Sequence, residues 1–174
     1  ALDKLNFAYL VYLNNFNDYK NNFSFLDYHL DNKILSQGSK KNLNYLNIYD
    51  GLILAANGNH GLYVHNRKFY WNSEESYFEP IYYDGEFNLK KTPKKLNFPL
   101  SENFTDSFDE LRVLLADLNL EIFSYHLKSK KLFYNENEIK SKIKLILNNL
   151  SILENLFDEK TIEQIKYNNE IYLK

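Results

Sequence analysis

The chain has no cysteine and no methionine, and in 174 residues it carries only five glycines, three prolines, two arginines and one tryptophan. Without cysteine there is no disulfide, no thiolate metal site and no cysteine nucleophile. Two arginines are few for reading phosphates or bases, and a formal net charge of −2 exerts no general pull on polyanions, so no nucleic-acid partner is expected. No apolar run approaches the roughly 20 residues that span a bilayer, so no membrane span is expected either. The opening "ALDKLNFAYL" has no initiator methionine and lacks the charged-then-apolar layout of a signal peptide. The expectation is one domain over residues 1–174, belonging to a longer protein, with its compartment left open.

What is present is a globular composition, 44% apolar and 25% charged, long enough to bury a core. The excess of Asn, Lys, Ile, Tyr and Phe is what AT-rich codons supply, and no function is assigned to it. Leu2, Leu5, Tyr9, Tyr12 and Phe16 recur at helical spacing, which predicts a helix over 1–16. "FSFLDYHL" within 21–38 reads as a strand followed by a turn at "DNK". Leu43, Leu46, Tyr49, Ile53 and Ala56 form a second helical stripe over 42–56, stopped by Asn57-Gly58. "RKFYW" and "YFEPIYY" read as two aromatic strands joined by a polar turn, and 88–103, with Pro93, Pro99 and four lysines, as a loop.

The remainder is read as helical. Ser107 with Glu110 and Asn135 with Glu138 have capping-box spacing, each ahead of an apolar stripe, and Asp158 is placed to cap a last helix. These stripes are core rather than binding faces.

Rare residue types gather between 58 and 85: three of the five glycines, His60 and His65, Arg67 and Trp71. In an antiparallel hairpin the residue that precedes the first strand and the residue that follows the second lie together at the open end. Here those are Asn66 and Asp84, an amide and a carboxylate, hard oxygen donors suited to Mg²⁺ or Mn²⁺ shared with a phosphate. The glycines let the flanking backbone turn without a side chain over that site. Ordinary turn chemistry is the plainer reading of both residues.

With these residues in place, "LNYLNIYDGLILAAN", "GNHGLYVHNRKFYW" and "FEPIYYDG" together resemble the CotH-type (spore-coat protein H) kinases over about residues 42–88. The resemblance implies an α+β fold, a mostly helical kinase-like C-terminal lobe with a catalytic-loop β-hairpin. It also implies ATP with Mg²⁺ or Mn²⁺ as cofactors and a protein or other hydroxyl acceptor as substrate. Carried over, Asn66 and Asp84 become the metal ligands. The family's catalytic-loop aspartate has no counterpart, leaving Asn59 to position a hydroxyl and His60 to accept its proton. His65 and Arg67 are candidates for contact with the nucleotide. Side chains alternate along a strand, however, so if Asn66 faces the site Arg67 faces away and an ion pair is the alternative. No glycine-rich phosphate loop and no lysine–glutamate pair lies upstream, so the nucleotide-gripping N-terminal lobe of the same parent chain is an implied partner. "GNH" also resembles metallophosphoesterases and "HN" the HNH nucleases, but the further ligands those enzymes need are not spaced to match. The reading from a different class is a catalytically inactive, pseudokinase-like helical interaction module.

Overall fold

The computed structural model describes residues 1–19, 30–93 and 104–172. Among the described residues six helices, α1 (Leu2–Tyr19), α2 (Asn32–Leu35), α3 (Lys40–Ala55), α4 (Phe104–Ala116), α5 (Leu120–Ser129) and α6 (Glu136–Tyr172), accompany one antiparallel hairpin, β1 (Lys68–Asn72) with β2 (Tyr77–Ile81). The class is α+β and mostly helical, as expected. The strand expected in 21–38 falls largely in 20–29, outside the described residues. Asp31, expected to begin a turn, instead caps α2 by accepting the Lys33 N–H.

Helix α3 is the central element because it has apolar residues on two sides. Ile53, Leu54 and Ala55 pack with Leu62, Phe104, Phe108 and Leu111, and with Leu150 and Leu153 of α6. Leu46 joins Ala8, Leu30, Leu35 and Phe78 in a second cluster, under which Phe69 and Trp71 of the hairpin are packed. Gly51 lets α4 come close, since a Cβ there would sit 3.0 Å from the Phe108 ring. The helix stops where its sequence says it should. Asn57 takes a left-handed φ of 54°, the Gly58 N–H returns to the Ile53 carbonyl and the Asn57 N–H to that of Leu54, closing a Schellman turn. Asn149 of α6 donates to the Ala55 carbonyl at 2.7 Å, and the Asn88 N–H donates to Ala56.

Between the two clusters lies a buried polar network. Arg67, immediately before β1, is ion-paired with Asp50 of α3, their side chains only 2% and 4% exposed. Asn32 donates to the second Asp50 oxygen at 2.8 Å and accepts from Arg67 at 3.1 Å, and it also donates to Asn47. The guanidinium lies over the rings of Tyr49 and Phe69. Burial pushes the Asp50 carboxyl up, against the pull of Arg67, and pushes the Tyr49 hydroxyl up to about 12.

Several boundaries depart from the sequence reading. The helix expected to start at Ser107 is already formed at Phe104, and the Ser107 hydroxyl donates back to the Phe104 carbonyl from inside the first turn. The apolar stripe that follows is two helices, because Asn119 caps α5 by accepting the Ile122 N–H. No helix begins at Asp158: α6 runs through it. The Asn135–Glu138 box is present with both of its reciprocal bonds. Of the 88–103 loop, residues 94–103 lie outside the described residues.

Leu150 is fully buried in the α3–α4–α6 cluster, whereas Val113 points outward. Leu150→Ala should cost about 2–5 kcal/mol through lost transfer energy plus a cavity, and Val113→Ala no more than about 0.5 kcal/mol; urea denaturation measures both. Tyr49 ionises near 10 when unfolded and only near 12 when folded. Its contribution to stability is therefore complete below pH 10 and is lost as pH rises through 12. The stability difference between the native chain and Tyr49→Phe should fall across that window in denaturation curves taken from pH 9 to 12. A constant difference would mean that the hydroxyl titrates alike in both states.

Candidate cation site at the open end of the hairpin

The site is assembled from the loop that leaves α3 and the segment that leaves β2. Residues Asn59–Leu62 form a single 3₁₀ turn, and the chain then folds back so that the Asn66 and Arg67 N–H groups both reach the Tyr63 carbonyl. The ladder of the hairpin ends at Lys68 opposite Ile81. Beyond it the second arm closes on itself: Tyr82 stacks on Phe87 with ring centroids 4.4 Å apart, and the Gly85 N–H donates to the Tyr82 hydroxyl. Asp84 and Glu86, on either side of Gly85, both take left-handed φ, 47° and 52°.

Two backbone segments meet here with no side chain between them. A Cβ on Gly61 would sit 3.0 Å from the Gly85 Cα and 3.2 Å from the Tyr83 carbonyl oxygen. A Cβ on Gly58 would meet the Phe87 ring at 2.6 Å. That contact is what the gathering of glycines in this stretch accomplishes, and it delivers His60 to Asp84. The His60 Nε2 lies 3.5 Å from Asp84 Oδ2, and donor atoms of His60, Asp84 and Glu86 all fall within 4.8 Å of one another. The His60 ring also touches Tyr63 and His65 edge-on, the two imidazole centroids 5.8 Å apart.

The expected residues are thus distributed over different tasks. Asp84 and His60 converge. Asn66 is buried and its amide N–H donates to the His60 carbonyl at 3.0 Å, so it anchors the loop that carries His60. His65 is exposed beside His60, and Asn59 is half-buried at the start of the turn. Arg67 is withdrawn into the core against Asp50, which is the ion-pair alternative. Tyr70 points into solvent, whereas Trp71 packs against the Phe78 ring. Glu86 is not among the residues the sequence singles out. Its only signal is its place two positions beyond Asp84 across a glycine.

Chemically the cluster offers one imidazole nitrogen and two carboxylates, a donor set that fits a divalent cation. No protein-family model matches the chain, and no curated protein and no solved structure matches it.

Gly61 faces backbone, which cannot yield, whereas Gly58 faces the half-exposed Phe87 ring, which can swing by giving up its stack on Tyr82, with the Ile53 Cγ2 3.2 Å away. Gly61→Ala should therefore destabilise by about 1–3 kcal/mol and Gly58→Ala by clearly less. Denaturation midpoints of the two variants, measured side by side, test this; equal losses would mean that the two arms do not meet as described.

Proposed function

We propose that this chain is the cation-holding lobe of a kinase-like phosphotransferase of the kind that residues 42–88 resemble. The observation that carries the reading is Asp84, set at the end of an aromatic hairpin and brought within 3.5 Å of His60 from the preceding loop. A bound Mg²⁺ or Mn²⁺ would supply charge neutralisation and orientation to the terminal phosphate of ATP. The chain's own part is placement. Asp84 presents a carboxylate oxygen to the cation, and Asn66 fixes the His60 carbonyl and with it the loop. Asn59, at the start of the turn, would orient the acceptor hydroxyl, and the exposed His65 would contact the nucleotide. Arg67, buried against Asp50, takes no part in holding phosphate.

Transfer requires the acceptor oxygen to bond phosphorus while the bond to the leaving nucleoside diphosphate breaks, and the hydroxyl proton has to reach a base. Asn59 cannot take that proton, and His60 is turned onto Asp84. The grip on the nucleotide belongs to a second lobe of the same parent protein. The isolated chain on this reading binds and does not turn over.

The second reading, an inactive interaction module, is favoured by apolar side chains left exposed on α1 (Leu2, Phe7, Leu10) and around α5 (Ile122, Tyr125, Phe133), of which Leu2, Ile122 and Tyr125 lie on stripes expected to be core. Among the described residues no helix is long and apolar enough to cross a membrane, so these are not spanning segments.

Calorimetry separates the two. ATP should bind the 174-residue chain weakly and only with Mn²⁺ or Mg²⁺ present. Asp84→Ala should remove the binding at least tenfold, and radiolabel should reach no acceptor. Binding that ignores the cation, or no nucleotide binding with any cation, would transfer the assignment to the interaction module.

A further inference from the structure

We propose that His60, Asp84 and Glu86 form a site for a first-row transition cation, taken in preference to Mg²⁺ and without need of a nucleotide. The inference rests on the cation reading of Asp84 given above, but not on phosphoryl transfer.

Geometry comes first. Ligands at about 2.1 Å in a tetrahedral shell lie about 3.4 Å from one another. The His60 Nε2 and Asp84 Oδ2 are 3.5 Å apart, already at that spacing, and the full three-donor set spans at most 4.8 Å. Glu86 is exposed, so its side chain is free to take up the remaining distance. The imidazole comes from a loop whose carbonyl is held by a buried amide, and the carboxylates come from a segment folded on itself by the Tyr82–Phe87 stack. The donors therefore meet by tertiary packing of two separate segments rather than by adjacency in one flexible loop.

Charge is the second argument. Two carboxylates stand together, and among the described residues no lysine or arginine is ion-paired with either; the only titratable partner is His60. Lys68, in the hairpin's first ladder pair, lies over the Tyr83 ring and donates to the His65 carbonyl. A dication would offset the repulsion between the two carboxylates.

Donor chemistry settles the class of ion. Mg²⁺ demands oxygen ligands in near-ideal octahedral geometry and gives up water reluctantly. An imidazole nitrogen with two carboxylates suits Zn²⁺, Co²⁺ and their neighbours, for which affinity rises along the series from Mn²⁺. Three protein donors leave at least one coordination position open, and His65, its ring centroid 5.8 Å from that of His60, is a candidate for a fourth.

The test uses the untagged chain. Titration with Co²⁺ should give visible absorption saturating at one equivalent, and Zn²⁺ should displace it. Calorimetry should show Zn²⁺ at least 100-fold tighter than Mg²⁺. His60→Ala, Asp84→Asn and Glu86→Gln should each weaken Zn²⁺ at least tenfold with the circular dichroism unchanged, while His126→Ala on α5 should leave it as it was. Zn²⁺ no tighter than Mg²⁺, unchanged affinity in His60→Ala, or a loss that follows His126 overturns the proposal. Mg²⁺-dependent ATP binding that needs Asp84 but is indifferent to His60 and Glu86 would overturn it while leaving the phosphotransferase reading intact. Zn²⁺ binding that needs His60, in a chain that binds no nucleotide with any cation, would support it and remove the other.

Discussion

The structure depends on one buried ion pair. Arg67 and Asp50 are both withdrawn from water, and each would carry a large desolvation penalty alone. Together, with Asn32 bridging both partners and Asn47 joining through Asn32, the charges are matched and most of the polar atoms are bonded; the Arg67 Nε alone finds no partner. Removing one member of such a pair costs about 3–5 kcal/mol, mostly because the other is left buried and unpaired. Its consequence here is positional. The pair pins the root of the hairpin to the middle of α3, so the loop from 58 to 66 has both ends tied to the same helix. Asn66, the neighbour of Arg67, then reaches the His60 carbonyl from a fixed base.

A second constraint acts on the same loop through the segment that follows β2. The 58–62 turn and the 83–85 segment touch backbone to backbone at Gly61 and Gly85. Side chains cannot mediate such a contact, so glycine is required on chemical grounds rather than for freedom of rotation. The stacked Tyr82 and Phe87 cover the outside of the contact, and Gly58 makes room for the Phe87 ring. His60 is held from one side by the α3 network and from the other by this packing. That is why a histidine from one loop and two carboxylates from another meet without help from a shared strand.

How much of this could be read beforehand follows from the range of each interaction. The stripes of α1 and α3, the Asn57 stop and the Asn135–Glu138 box were legible because they rest on contacts a few residues apart. Ser107–Glu110 had the same spacing and misled, because residues on both sides of it were already helical and the serine hydroxyl bonds back to Phe104. Asp158 misled similarly, where the stripe of α6 continues past it. At the site, residue type and the scarcity of glycine drew attention to Asp84 and His60, but the expected neighbour of Asp84 was Asn66, whose amide bonds the His60 carbonyl. The alternation argument pointed Arg67 away from the site, but nothing local identified Asp50, 17 residues upstream, as its partner. Glu86 escaped because exposed glutamates are common; what recruits it is a left-handed backbone on both sides of Gly85.

The donor set also bears on which of the two functional readings the hairpin can sustain. A site built for Mg²⁺ and nucleotide phosphates uses oxygen alone and leaves most of the cation's shell to water and phosphate. An imbedded imidazole shifts the balance towards ions that hold nitrogen, and it occupies the residue that would otherwise take the acceptor's proton. His60 cannot serve as ligand and as base at the same moment. With His60 as a ligand, a bound cation would serve structure or a different ligand, and the exposed apolar side chains of α1 and α5 are the surfaces left for the chain to act through. On the phosphotransferase reading, His60 would have to leave the cation before its imidazole could accept a proton. The same three residues then separate the readings by a single exchange of ligand.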